Sequence, residues 1–191
     1  MAQTWLKLCV AVLGFCGGTT LMAGDLKVGD DAPEFEALDD TGEAWKSSDH
    51  VGKKIIVVYF YPADLTGGCT KQACGFRDDL KTLADKDGEV VGVSGDSVAN
   101  HQIFKKVEKL NFALLADEKG EVADAFGVPY DKTEKSIVKQ IEGKDVTLTR
   151  GGTAKRWTFL IDKNGKIALV NKEVNAEKDS KAILKAVEEL K

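Results

Sequence analysis

Nowhere in the chain do cysteines and histidines share a metal-binding spacing. The two histidines, His50 and His101, stand far apart, each among polar neighbours. No zinc or other metal site is expected, and both rings are expected at the surface. No lysine cluster stands free of neighbouring acids: 27 Lys+Arg against 31 Asp+Glu leave a net charge of −4, with a pI near 5.3. That balance argues against nucleic-acid and anionic-membrane partners. No apolar run reaches the roughly 20 residues of a membrane-spanning helix. No repeat, low-complexity tract or second domain interrupts the 191 residues. At about one domain per 100–200 residues this is one domain, and 43% hydrophobic content is enough for its core.

Four cysteines are present, and two fall in a segment unlike the rest. Lys7 precedes the apolar run Leu8–Cys16, and small residues follow up to Ala23. Residues 1–23 therefore read as a cleavable secretory signal peptide, too short to span a membrane. Bulky Phe15 before Cys16 argues against a lipoprotein cleavage box. Removal of this leader would leave Cys69 and Cys74 as the only thiols, in an exported, periplasmic or secreted protein working in an oxidising compartment. Something must then reduce it there.

Those two cysteines sit where a strand gives way to a helix. Ile55–Tyr61 is a continuous β-branched and aromatic run of the kind that fills a sheet buried on both faces. Pro62 and Gly67-Gly68 break it. Beyond them Phe76, Leu80, Leu83 and Ala84 form a helical apolar stripe, which places Cys69 in the first turn. Unpaired amides and the positive end of the helix dipole stabilise an anion there, so a thiolate, the nucleophilic form, is favoured. Thr66 reads as the N-cap, its hydroxyl either accepting from the Cys69 amide or pointing at a substrate oxygen. Five residues of helix, at about 1.5 Å rise each, hold Cys69 and Cys74 too far apart for a disulfide. Pairing requires the first turn or two to unwind. The other reading is two helix cysteines packed as small apolar residues; the glycine-broken strand end and the threonine favour the reactive one.

Strand and helix signals alternate through the remainder. Strands are expected at Glu89–Ser94, Phe112–Ala116, Trp157–Ile161 and Ile167–Val170, the last two flanking the turn signal Asp162-Lys163-Asn164-Gly165. Helices are expected at Val98–Lys109, Gly120–Phe126 and Ala176–Leu190. A hairpin around Pro33–Leu38 and Glu43–Lys46 precedes them. Parallel βαβ units followed by an antiparallel hairpin and a last helix describe an α/β, thioredoxin-like three-layer sandwich with a central mixed sheet and an N-terminal hairpin, over residues 27–191. The charged, glycine-containing stretch from Tyr130 to Gly152 reads as a surface insertion, an extra hairpin with Val146–Thr149 as one arm.

Pro62, Thr66 and Cys69 reproduce the Pro-x-x-x-Thr-x-x-Cys motif of peroxiredoxins, and Cys74 falls where the bacterioferritin comigratory protein (PrxQ) subfamily has its resolving cysteine. The resemblance extends through Val90–Ser94 with Asp96-Ser97, through Leu114–Asp117 and through Arg156–Asp162, covering most of the chain from about Gly29. It implies a thiol-dependent peroxidase acting on hydrogen peroxide or organic hydroperoxides. Cys69 would attack, Cys74 would resolve the sulfenic acid as an intramolecular disulfide, and Arg156 would support the thiolate and polarise the peroxide. It further implies recycling by a thioredoxin-like dithiol protein, no cofactor, no stable membrane association, and a monomer or weak homodimer. This sequence departs from the subfamily at Gly67, where proline is usual, and at Gln72, where glutamate is frequent.

The residue types suit that chemistry independently. A thiolate attacking a peroxide expels an alkoxide or hydroxide, so the site must stabilise negative charge on oxygen; amides, Thr66 and Arg156 can do so, and Pro62 can shield the sulfur. Cys69 oxidised to sulfenic acid then condenses with a nearby thiol. Two other readings stand beside it. An exported thioredoxin-like thiol–disulfide oxidoreductase shares the fold, but four residues between the cysteines replace the usual two. A non-enzymatic binding or chaperone domain would keep the cysteines as structural residues.

Overall fold

The run Ile55–Phe60 is buried at every position, and its side chains alternate between two cores. The computed structural model describes residues 25–190; the expected leader, residues 1–23, lies outside them. In chain order the elements are β1 (Glu36–Asp39), β2 (Ala44–Lys46), β3 (Ile55–Phe60), α1 (Gly67–Ala84), β4 (Gly88–Ser94), α2 (Val98–Glu108) and β5 (Ala113–Ala116). There follow α3 (Glu121–Ala125), β6 (Tyr130–Asp131), β7 (Lys135–Ile141), β8 (Lys144–Arg150), β9 (Thr153–Ala154), β10 (Trp157–Ile161), β11 (Ile167–Asn171) and α4 (Asp179–Glu189).

Seven strands form one mixed sheet in the order β11-β10-β3-β4-β5-β1-β2. Strands β3, β4 and β5 run parallel, joined by α1 and α2 as crossovers, and the outer pairings are antiparallel. The sheet is central because both its faces are apolar. Ile56, Val58 and Phe60 pack with Val93, Phe126 and Phe159 on one side; Ile55, Val57 and Tyr59 pack with Phe76 and Leu83 of α1, Phe104 of α2 and Ile183 of α4 on the other. Gly92 in β4 is required by this packing, since a Cβ there would come within 2.6 Å of the Tyr59 hydroxyl. Among the described residues no helix is long and apolar enough to cross a membrane.

The thioredoxin-like sandwich and its N-terminal hairpin agree with expectation, and element ends differ by a few residues. Ala84 is exposed, so the buried stripe of α1 is Cys69, Ala73, Phe76 and Leu83. The insertion is a hairpin of two seven-residue strands, β7 and β8, that form a two-stranded sheet of their own, bury Leu148 and touch the end of β4 through an antiparallel bridge between Arg150 and Asp96. The expectation that both histidines are exposed is corrected. His101 is 0% exposed because it lies on the inward face of α2 with Asn100 and Phe104, so that polar neighbours in sequence do not place it at the surface. His50 is half-buried, stacked on Trp45 and bonded to Glu89.

Candidate active site

Strand β3 ends at Phe60, and the next six residues carry the chain over the end of the sheet into α1. Within that loop Leu65 has φ of +55°, the left-handed region that costs a non-glycine residue roughly 1–2 kcal/mol. Such a residue persists only where its neighbours are pinned. Asp64 N–H donates to Asp96 Oδ2 at 2.9 Å, and Thr66 Oγ1 donates to the Ala63 carbonyl at 3.0 Å. Thr66 is the N-cap residue, as expected, but no side-chain cap bond is made; its carbonyl accepts from Thr70 N–H while its hydroxyl faces back into the loop.

Cys69 therefore lies in the first turn of α1, 1% exposed, beside N–H groups that have no partner inside the helix. Arg156 Nη2 stands 3.1 Å from its sulfur. The 87-residue separation is closed by register: β10 runs antiparallel to β3 with Trp157 opposite Phe60, so Arg156, one residue earlier, lies over the strand end where the loop begins. The guanidinium is itself held. Its Nη1 donates to Gln72 Oε1, Gln72 Nε2 donates to Asp179 Oδ2 at 2.7 Å, and Thr158 Oγ1 donates to the same oxygen at 2.7 Å. Burial pushes the Asp179 carboxyl up, against the bonds from Thr158 and Gln72.

An amide suits position 72 because it accepts from a cation with one atom and donates to a carboxylate with the other. A glutamate would set a second carboxylate against Asp179. This accounts physically for Gln72. At the other departure, Gly67 is exposed at the first helical position with open space around its Cβ direction.

Cys74 is on the same helix but faces elsewhere. Its sulfur contacts Glu108 Oε2 at 3.5 Å, and burial followed by the Glu108 carboxylate pushes its thiol up, with Arg77 opposing. Both cysteines are free thiols, and their sulfurs have different polar partners, Arg156 for Cys69 and Glu108 for Cys74. Pro62 and Arg156 line an open groove of about 550 Å³ together with Pro129, Tyr130 and Ala154. A second cavity, at the far end of the sheet beside Ile55, Lys86 and Asn164, has no thiol in its lining.

The five residues expected at the site, Pro62, Thr66, Cys69, Cys74 and Arg156, thus belong to one loop, one helix and the strand start laid over them. Sequence reasoning did not reach Asp179, Thr158, Asp64 or His101. Asp64 stands between Pro62 and Thr66, which was a signal; the others carry none detectable by spacing.

The architecture, with a buried thiol at the start of the first long helix and an arginine against it, marks a thioredoxin-like thiol enzyme. Residues 28–170 match the model of the AhpC/TSA family. The chain is 42% identical over 142 residues to peroxiredoxin Bcp of Bacillus subtilis, covering 74% of this chain and 82% of that one. It is 38% identical over 175 residues to chloroplastic peroxiredoxin Q of Oryza sativa subsp. japonica, covering 91% and 72%. Among solved structures, peroxidoxin BcpB from Mycobacterium tuberculosis superposes with a TM-score of 0.71 at 32% identity, over 87% of this chain and 99% of that one. The chain belongs to the AhpC/TSA family, and its activity is that of a thiol peroxidase.

Proposed function

We propose that Cys69 is the attacking thiol of this peroxidase and Cys74 its resolving partner, reducing hydrogen peroxide or organic hydroperoxides. The observation that carries this reading is the Arg156 guanidinium 3.1 Å from a buried sulfur at a helix N-terminus. The thiolate is the nucleophilic form of a cysteine. The thiolate attacks one peroxide oxygen, an S–O bond forms as the O–O bond breaks, and the departing oxygen leaves as alkoxide or hydroxide and takes up a proton. Arg156 is placed to neutralise that oxygen as well as the sulfur. The Thr66 hydroxyl, bonded to Ala63 at rest, can rotate to donate to a bound peroxide. Pro62 restricts access from the groove side.

Attack leaves a sulfenic acid on Cys69. Cys74 attacks that sulfur, the S–S bond forms, and water leaves. Because the two thiols lie five residues apart on α1 and face different neighbours, the first turns of the helix must open first; Gly67-Gly68 is the weakest segment for that purpose. Family membership implies a peroxide substrate and a thioredoxin-type reductant, whose dithiol returns the two electrons. Residues 1–23 fit a leader that exports the protein, tested by the N-terminal sequence and compartment of the mature chain.

The decisive experiment follows intact mass after one equivalent of hydrogen peroxide. Wild type should lose two hydrogens at Cys69–Cys74. Cys74→Ser should consume one peroxide per chain and stall as the sulfenic acid, whereas Cys69→Ser should not react. Equal loss in both variants would remove the assignment and favour a disulfide oxidoreductase.

A further inference from the structure

His101 is buried without any part in the chemistry above, and its ring makes one strong contact. Nδ1–H donates to Asp64 Oδ2 at 2.8 Å, both side chains being 0% exposed. Among the described residues its Nε2 has no partner in hydrogen-bonding geometry, although the nearby Leu115 carbonyl favours the charged ring. A buried imidazolium near the start of α2 works against the helix dipole. The charges that offset it are Asp64 from the loop and Asp96 from the end of β4; burial alone would pull the ring's pKa down, yet the two carboxylates raise it overall. Tyr61, also fully buried, completes the group by donating its hydroxyl to Asp64 Oδ1 at 2.7 Å.

Asp64 is thus bound three ways, through both carboxylate oxygens and through its own N–H to Asp96. It directly precedes Leu65, whose left-handed backbone needs such restraint, and Leu65 precedes the Thr66 cap of α1. The loop ahead of Cys69 is therefore moored to α2 at one residue. Holding it keeps the first turn of α1 wound and Cys69 under Arg156, the arrangement that attack on peroxide requires. Releasing it assists the unwinding that the Cys69–Cys74 disulfide requires. We propose that His101 and Asp64 form a buried ion pair that positions the Pro62–Thr66 loop and so sets the balance between the peroxide step and the disulfide step. His101 and Asp64 are positioning residues here, since neither touches the reacting sulfur.

This rests on the assignment of Cys69 and Cys74, and stopped-flow tryptophan fluorescence of the full chain separates the two. Wild type should show a peroxide-dependent phase followed by a concentration-independent disulfide phase; absence of both would sink the peroxidase assignment itself. In His101→Gln the first rate constant should fall about tenfold and the second should rise several-fold, with less sulfinic acid formed at excess peroxide. Simple destabilisation would reduce the amplitudes of both phases and leave the ratio of rate constants alone. Tyr61→Phe, which removes one bond to Asp64 and leaves the ion pair, should move the ratio the same way by a smaller factor, and decides the matter if His101→Gln does not fold. A ratio within about twofold of wild type in every folded variant would overturn the proposal.

Discussion

Gln72 Nε2 donates to Asp179 Oδ2 at 2.7 Å, joining α1 to the first turn of α4 and, through Gln72 Oε1, to the guanidinium that faces Cys69. Asp179 accepts hydrogen bonds from the neutral Gln72 and Thr158, and its burial raises its pKa. Gln72→Glu should therefore force the two carboxyls to share a proton. A carboxyl whose folded pKa lies above its unfolded value holds protons that the unfolded chain has released, so stability falls as pH rises through that window. The variant should unfold about 1–3 kcal/mol more easily than wild type at neutral pH and lose less at acid pH. Adding Asp179→Asn should recover most of the loss; denaturant unfolding of the three variants across pH reads this directly.

Arg156 contacts Gln72 with one nitrogen and Cys69 with another, a two-pronged arrangement that a lysine cannot copy. Arg156→Ala should slow the peroxide step about a hundredfold or more. Arg156→Lys should recover only part of the rate. An unchanged rate in Arg156→Ala would take this residue out of the site.

Gly67 occupies the first helical position, where a proline is pre-organised and gives up no helical hydrogen bond. Thr66 before it has φ −98° and ψ 147°, the extended region that a residue preceding proline needs. Gly67→Pro should stabilise the folded protein by about 0.4–1 kcal/mol. It should also slow the disulfide phase while sparing the peroxide phase, because the segment that must unwind becomes stiffer. Thermal melting and stopped-flow fluorescence test the two parts separately.

Cys74 is kept protonated at rest by burial and by Glu108. Since only the thiolate reacts, alkylation of Cys74 in a Cys69→Ser background should be slow at neutral pH and accelerate as pH climbs toward its raised value. Glu108→Gln should move that rise to lower pH. The same profile in both proteins would show that the carboxylate does not act on this thiol.

Local pattern was enough to place β3, the start of α1 and the Trp157–Ile161 strand, because a strand buried on both faces and a helix with one apolar stripe leave periodicities in the chain itself. The motif of Pro62, Thr66 and Cys69 was legible for the same reason: a strand end, a cap and a thiol at the helix start are neighbours in sequence. Strand partners were not. Arg156 reaches Cys69 because β10 pairs antiparallel with β3 in one register, and nothing within either strand specifies that register. His101 was misjudged because its polar neighbours do not tell which face of the expected helix turns inward. Its partner Asp64 lies 37 residues away, and only packing α2 against the loop makes burial of the pair tolerable. Residues within one or two turns of Cys69 could be read from order along the chain. The groups that hold Arg156 and the loop in place are long-range hydrogen bonds between elements, and these exist only once the sheet and its helices have assembled.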